Sequence, residues 1–312
     1  MDPITAKLMS AAGAAAGDSV YVDDLFSTFL YNGNATNATA INNGIDLSGE
    51  GGLTWIKGRT YLAGSSAFSG AAAQQNILFD TERGSGYPLS SNLSDPESNF
   101  GSAASGGQTF TSTGFQIGYN GYNDINYNGT KYCSWSFRKC PGFFDVVTYT
   151  GDGNTSKTIS HSLGSTPGFI IIKRLDNYGN WRCYHRSLTN TNYWIQLDST
   201  SAEQSLGVQN WAVSSTDFTV YGAATDTNIS GGTYVAYIFA HDDQSFGTNG
   251  NESIIKCGGY TGNGSTPNAT AEQSGPDIDL GFEPQYLLVK KISGSDPWFV
   301  FDTVRGFPAN FN

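Results

Sequence analysis

Residues 143–188 read FFDVVTYTGDGNTSKTISHSLGSTPGFIIIKRLDNYGNWRCYHRSL, and most of this stretch occurs three times in the chain. In the copy that starts at Ser253, Tyr260-Thr261-Gly262-Asn263-Gly264 answers Tyr149-Thr150-Gly151-Asp152-Gly153. Further on, Tyr286-Leu287-Leu288-Val289-Lys290-Lys291 answers Phe169-Ile170-Ile171-Ile172-Lys173-Arg174. A more worn copy comes first, through Tyr31-Asn32-Gly33-Asn34, Ile45-Asp46-Leu47-Ser48 and Leu53-Thr54-Trp55-Ile56-Lys57. The lysines that close the three apolar runs, Lys57, Lys173 and Lys290, lie 116 and 117 residues apart. A period held that closely means tandem units.

The repeat continues past its lysine. Asn76-Ile77-Leu78-Phe79-Asp80-Thr81-Glu82-Arg83-Gly84 returns strongly as Trp298-Phe299-Val300-Phe301-Asp302-Thr303-Val304-Arg305-Gly306 and weakly as Trp181-Arg182-Cys183-Tyr184-His185-Arg186. Tyr132-Cys133-Ser134-Trp135-Ser136-Phe137 returns as Tyr234-Val235-Ala236-Tyr237-Ile238-Phe239. The third copy has no counterpart of this last strand, and the expectation is a third unit that continues beyond residue 312. The chain divides into an N-terminal helix or arm (1–28), repeat 1 (29–140), repeat 2 (141–250) and an incomplete repeat 3 (251–312).

Glycine makes up 39 of 312 residues, and Asn, Ser and Thr fill the spaces between short apolar runs rich in β-branched and aromatic residues. That composition predicts an all-β chain of tandem antiparallel β-sandwich repeats. Continuous runs such as Phe169-Ile170-Ile171-Ile172 suit strands covered on both faces. The alternation of Tyr132, Ser134 and Ser136 against Cys133, Trp135 and Phe137 predicts one face on a core and one on solvent or a neighbouring subunit. A formal net charge of −11 disfavours a nucleic-acid partner, since phosphate repels an acidic surface. No run of about 18 apolar residues is present to insert into a membrane. Cys133, Cys140, Cys183 and Cys257 sit at dissimilar places in the repeats and read as reduced thiols.

Asp2-Pro3 starts a short predicted helix, with Asp2 as cap and Pro3 in the first turn. Ile4, Leu8, Ala11, Ala12 and Ala15 fall on one face of it. So small a face needs something to dock on: a partner protein, copies of itself, or the first β unit. The three histidines, His161, His185 and His241, lack metal-type spacing, and no nucleophile elbow or phosphate loop occurs, so no cofactor and no enzymatic activity are expected. Asp80, Glu82 and Arg83, with Asp302 and Arg305, form the most polar repeated cluster. Paired carboxylates serve glycoside hydrolysis only when they face each other across a cleft of about 5–9.5 Å. Acidic residues two apart on one strand do not, so an Asp and Arg bonded locally at a strand end is the expected arrangement. Gly151-Asp152-Gly153-Asn154 is read as a hairpin turn before a calcium loop, since both use the same residue types. Tyr119, Tyr122 and Tyr127, set among Asn and Gly, are candidates for stacking on sugar rings; a merely solvated loop is the alternative.

The opening MDPITAKLMSAAGA, Trp-Ile-Lys-x-Arg at 55–59, Leu-Phe-Asp-Thr-x-Arg-Gly at 78–84, Phe-Phe-Asp-Val-Val-Thr-Tyr-Thr-Gly at 143–151 and Tyr-Val-Ala-Tyr-x-Phe-Ala-His-Asp-Asp at 234–243 resemble tail-fibre-like virion structural proteins of marine bacteriophages, cyanophages among them. The resemblance covers nearly the whole chain and transfers no functional residue. It implies a tail-located virion component and a homo-oligomer, for fibres a trimer. Its N-terminal segment would attach to a tail adaptor or nozzle protein, and its distal part would contact a host cell-surface glycan or protein. The rival expectations are a head-decoration or head-fibre protein and a glycan depolymerase.

Overall fold

The computed structural model describes residues 19–60, 75–121, 124–222, 226–264 and 275–306. A single turn of helix, α1 (Val22–Leu25), leads into the first unit. There β1 (Phe26–Asn32), β3 (Gly52–Gly58), β4 (Asn76–Asp80), β5 (Leu89–Ser90) and β8 (Lys131–Arg138) form one antiparallel sheet in the order β1-β8-β3-β4-β5. A smaller sheet, β2-β7-β6, comes from β2 (Thr39–Asn42), β6 (Gln108–Thr111) and β7 (Gly114–Ile117). Between the two sheets lie Tyr31, Ile41, Ile56, Phe79, Phe115 and Tyr132, one sandwich core.

The second unit repeats the plan. Its large sheet uses β9 (Phe144–Thr150), β11 (Phe169–Arg174), β12 (Arg182–His185), β13 (Tyr193–Gln196), β14 (Gln204–Ser205) and β17 (Thr233–Phe239), in the order β14-β13-β12-β11-β17-β9. The small sheet is β10-β16-β15, from β10 (Ser156–Ser160), β15 (Trp211–Val213) and β16 (Asp217–Tyr221). The register matches as well: Trp55 faces Trp135 across β3 and β8, and Ile171 faces Tyr237 across β11 and β17. In the third unit β18 (Tyr286–Val289) pairs with β19 (Phe299–Asp302), the counterparts of β3 with β4 and of β11 with β12. The architecture is thus all-β and antiparallel, as the composition predicts.

The first and last strands of each complete unit are tied by the repeated tyrosines. Tyr31 stacks on Tyr132 at 5.0 Å and 14°, and Tyr149 on Tyr234 at 5.0 Å and 15°. The outer rings donate their hydroxyls to Ile125 O and Thr227 O, both at 2.8 Å. The glycine that follows in each repeat has a steric reason: a Cβ would lie 2.1 Å from Tyr127 O at Gly33 and 2.2 Å from Ile229 O at Gly151. No side chain fits so close to a backbone carbonyl.

One sequence expectation is corrected. The alternating strands β8 and β17 have neither face in solvent. Tyr132, Ser134 and Ser136 are buried toward their own sandwich, while Cys133, Trp135 and Phe137 face a second, central core. Val235, Tyr237 and Phe239 enter the same central core from unit 2, and Tyr286, Leu288, Trp298 and Val300 pack on it from unit 3. A neighbouring unit of the same chain therefore occupies the face assigned to solvent or another subunit. Phe137 lies near the middle, with Phe239 at 5.5 Å and Tyr286 at 5.8 Å. Burying so many aromatic faces at one place supplies the hydrophobic term that holds three small units together.

Candidate functional site

The repeated polar residues converge on the joints between units. At the end of β4, Asp80 accepts from the Arg83 backbone N–H at 2.9 Å and from Arg83 Nε at 2.6 Å, the local Asp–Arg pair expected from sequence. Its partner across the joint is Tyr237 of unit 2, whose hydroxyl donates to Asp80 Oδ2 at 2.7 Å. Arg83 also donates to Tyr87 O at 2.6 Å and approaches Glu97 at 3.3 Å. Burial alone would push the Arg83 guanidinium down, but Asp80 beside it, with Tyr237 and Glu97, holds it above its ordinary value.

The same device closes unit 3 onto unit 1. Asp302 accepts from the Arg305 N–H at 2.8 Å and pairs with Arg305 Nε, and the Trp135 indole N–H donates to Asp302 Oδ2 at 3.1 Å. Trp135 occupies in β8 the place of Tyr237 in β17, and the Arg305 guanidinium lies over its ring at 4.9 Å. A cation over an indole face adds about 0.5–2 kcal/mol depending on desolvation.

A second joint uses the lysines that mark the period. Lys173, fully buried, donates to Gly179 O at 2.6 Å in its own unit and to Ser94 O at 2.8 Å in unit 1. Lys290 does the same with Asp296 O at 2.6 Å and Thr200 O of unit 2 at 2.9 Å. Burial pushes the Lys173 ammonium down to about 8, because only carbonyl dipoles and more distant carboxylates replace its lost water. Beside each lysine a tryptophan reaches across: Trp181 Nε1 donates to Ser90 O at 3.0 Å, and Trp298 Nε1 to Gln196 O at 2.8 Å. Unit 1 meets unit 2 as unit 2 meets unit 3, and unit 3 returns to unit 1, so the units form a head-to-tail ring.

Other candidates are held in structural roles. Asp152 accepts from the Asn154 N–H and the Asn228 amide, both at 2.9 Å, which makes the turn a locked hairpin end. Among the described residues no cluster of three metal-type side chains occurs. His161 Nδ1 accepts from the Leu163 N–H at 3.2 Å, and His241 Nδ1 from the Cys257 N–H at 3.1 Å while its other nitrogen meets Arg186. All four cysteines are free; burial raises Cys133 and Cys257 to about 12 and leaves their thiols protonated. Tyr119 and Tyr127 come together with ring centroids 6.2 Å apart and tilted by 60°, both half-buried. Tyr122 lies outside the described residues, as do Ile4, Leu8, Ala11, Ala12 and Ala15.

A family model described as a domain of unknown function, DUF7483, matches residues 22–311. The chain belongs to that family. The match takes in both complete units and the β18–β19 hairpin, so the DUF7483 region contains every joint described above. No curated protein and no solved structure matches the chain. What sequence reasoning missed in this DUF7483 chain is the second half of each joint: Tyr237, Trp135 and the carbonyls of Ser94 and Thr200. The lysine period and the Asp-x-x-Arg echo were the signals, but their partners lie in other units.

Proposed function

We propose that this chain is an architectural, non-catalytic component of a phage virion, a tail fibre whose N-terminal arm attaches to the tail and whose distal part contacts the host surface. The observation that carries the architectural reading is the use of its charged groups. Asp80, Arg83, Lys173, Lys290 and Asp302 each take part in a joint between units. A ring of interlocked β units resists deformation and presents loops outward, which suits a part that transmits position. The virion assignment rests on the opening MDPITAKLMSAAGA and the four internal motifs that resemble tail-fibre-like proteins. With it come a homotrimer and a tail adaptor or nozzle partner; the face of Ile4, Leu8, Ala11, Ala12 and Ala15 is offered for that attachment, and Tyr119, Tyr122 and Tyr127 for a sugar contact.

The test is a density map of intact particles in which the chain is located. Copies projecting from the tail in threefold sets support the fibre; copies seated on the head shell overturn it in favour of head decoration. Removing residues 1–17 is expected to leave a folded protein that no longer enters particles, and incorporation at normal copy number would overturn the attachment role. Release of reducing ends from host capsule or cell-wall glycan by the purified chain would overturn the non-catalytic reading.

A further inference from the structure

The two complete units place different residues at one point of the inner sheet face. In unit 1, Ile77 lies between Ile56 and Ser90 and is fully buried in the sandwich core. In unit 2 the same register puts Arg182 between Ile172 and Gln196. Arg182 is buried as well, only 9% exposed, and neither its Nε nor its Nη1 has a hydrogen-bond partner. Other cations of this region are matched: Arg174 holds Asp176 through hydrogen bonds at 2.9 and 2.8 Å, and Lys173 meets its two carbonyls. Burial pushes the Arg182 guanidinium below its ordinary value, and Asp226, acting through space without a hydrogen bond, offsets this only in part.

A second line of observation is the ring beside it. The guanidinium carbon of Arg182 lies 4.1 Å from the ring centroid of Trp194, which is 4% exposed and whose Nε1 also has no partner. Trp135, Trp181, Trp211 and Trp298 each direct their indole N–H to a protein oxygen. Three unpartnered N–H donors are thus gathered around one fixed cation. A buried donor left without an acceptor is costly, and a buried charge more so. The cation–π contact orients the guanidinium without using its N–H groups. Gln196 and Gln204, on β13 and β14 alongside, are half-buried and bonded to each other at 3.4 Å, so the donors lie near the margin of the core.

We propose that Arg182 and Trp194 form a binding site for a carboxylate. A guanidinium is a planar fork that matches a planar carboxylate, and the two carboxylate oxygens offer about four acceptor positions for the three donors. One negative charge balances the one cation, whereas a dianion would set its excess against Asp226. The carboxylate belongs either to a small free acid or to an acidic sugar; both present the same group. The site rests on unit 2 alone and is independent of the virion reading.

The experiment titrates the full, isotope-labelled chain with sodium acetate or sodium glucuronate, and with sodium chloride at the same ionic strength. The Trp194 indole N–H resonance, identified by its loss in Trp194→Phe, is expected to move saturably with a carboxylate and not with chloride. The Tm is expected to rise with the same ligand by mass action. A response to acetate alone indicates a small acid, and a response to glucuronate a site with room for a sugar ring; each upholds the proposal. Arg182→Ile, which copies Ile77, is expected to remain folded and to weaken binding by about tenfold or more. Arg182→Lys keeps the charge without the fork and is expected to weaken it less. Asp226→Asn is expected to tighten binding, because it removes a competing negative charge. No movement of the resonance, an equal movement with chloride, or undiminished binding by both Arg182 variants overturns the proposal.

Discussion

Asp80 and Asp302 have the same sequence context and the same local arginine, yet their surroundings differ. The Arg83 side chain is 2% exposed and that of Arg305 is 24% exposed. Removing the carboxylate from a sealed pair leaves an uncompensated charge and costs about 3–5 kcal/mol, whereas water can reach a half-open guanidinium. Asp80→Ala is therefore expected to lower the urea midpoint more than Asp302→Ala, whose loss lies nearer about 1–3 kcal/mol; the reverse order would contradict the burial argument. His185 gives the pH dependence. Burial, with the Arg186 and His241 charges close by, lowers it from 6.5 to about 4. Above the unfolded value both states are neutral there and nothing is lost. As the pH falls from about 6.5 toward 4 the unfolded chain takes up a proton that the folded chain refuses, so stability declines by up to about 2–3 kcal/mol. Denaturation at a series of pH values should show this slope, and His185→Gln should remove it.

At the level of strands, the joints explain which substitutions the fold feels most. Trp181 is fully buried and its indole N–H is taken by the carbonyls of Ser90 and Leu93, both at 3.0 Å. Trp181→Ala is expected to cost about 3–5 kcal/mol through lost burial and an unfilled cavity. Trp298→Ala, at the equivalent place on a half-exposed hairpin, is expected to cost less, as thermal melts of the two variants would measure. The sequence made the strands legible because β3, β11 and β18 are apolar runs closed by a lysine at a fixed period. It made the Asp80–Arg83 pair legible because the partners are three residues apart. The joints themselves were hidden for a physical reason. Lys173 and Trp181 bond to backbone carbonyls of unit 1, and a carbonyl is present at every residue, so nothing in the sequence marks which one accepts. Tyr237 and Asp80 are 157 residues apart, and only a closed ring brings them together. The two-sided burial of β8 was misread for the same reason, since the face of Cys133, Trp135 and Phe137 is covered only when the other units close on it.

For the molecule as a whole, a shared central core means that the units do not stand independently. Phe137 of unit 1, Phe239 of unit 2 and Tyr286 of unit 3 contact one another directly or through Phe137. Calorimetry of the full chain is expected to give one cooperative transition with matching van't Hoff and calorimetric enthalpies. Well-separated transitions for the units would show the central core to be weak. Excised residues 141–250 are expected to aggregate, because Phe169, Ile171 and Tyr237 would become a surface. The pairing of β1 with β8 also bears on how the chain is made. Phe26 pairs with Phe137, so the first strand emerges from the ribosome 111 residues before its partner is synthesised. At about 5–20 residues per second that delay is roughly 5–20 s, far longer than a hairpin needs to form at about 1–10 μs. Throughout it, β1 carries an unpaired edge past neighbouring nascent chains on the same message. Codon speed across residues 33–130 thus sets how long β1 waits for its partner, and slower translation lengthens that exposure.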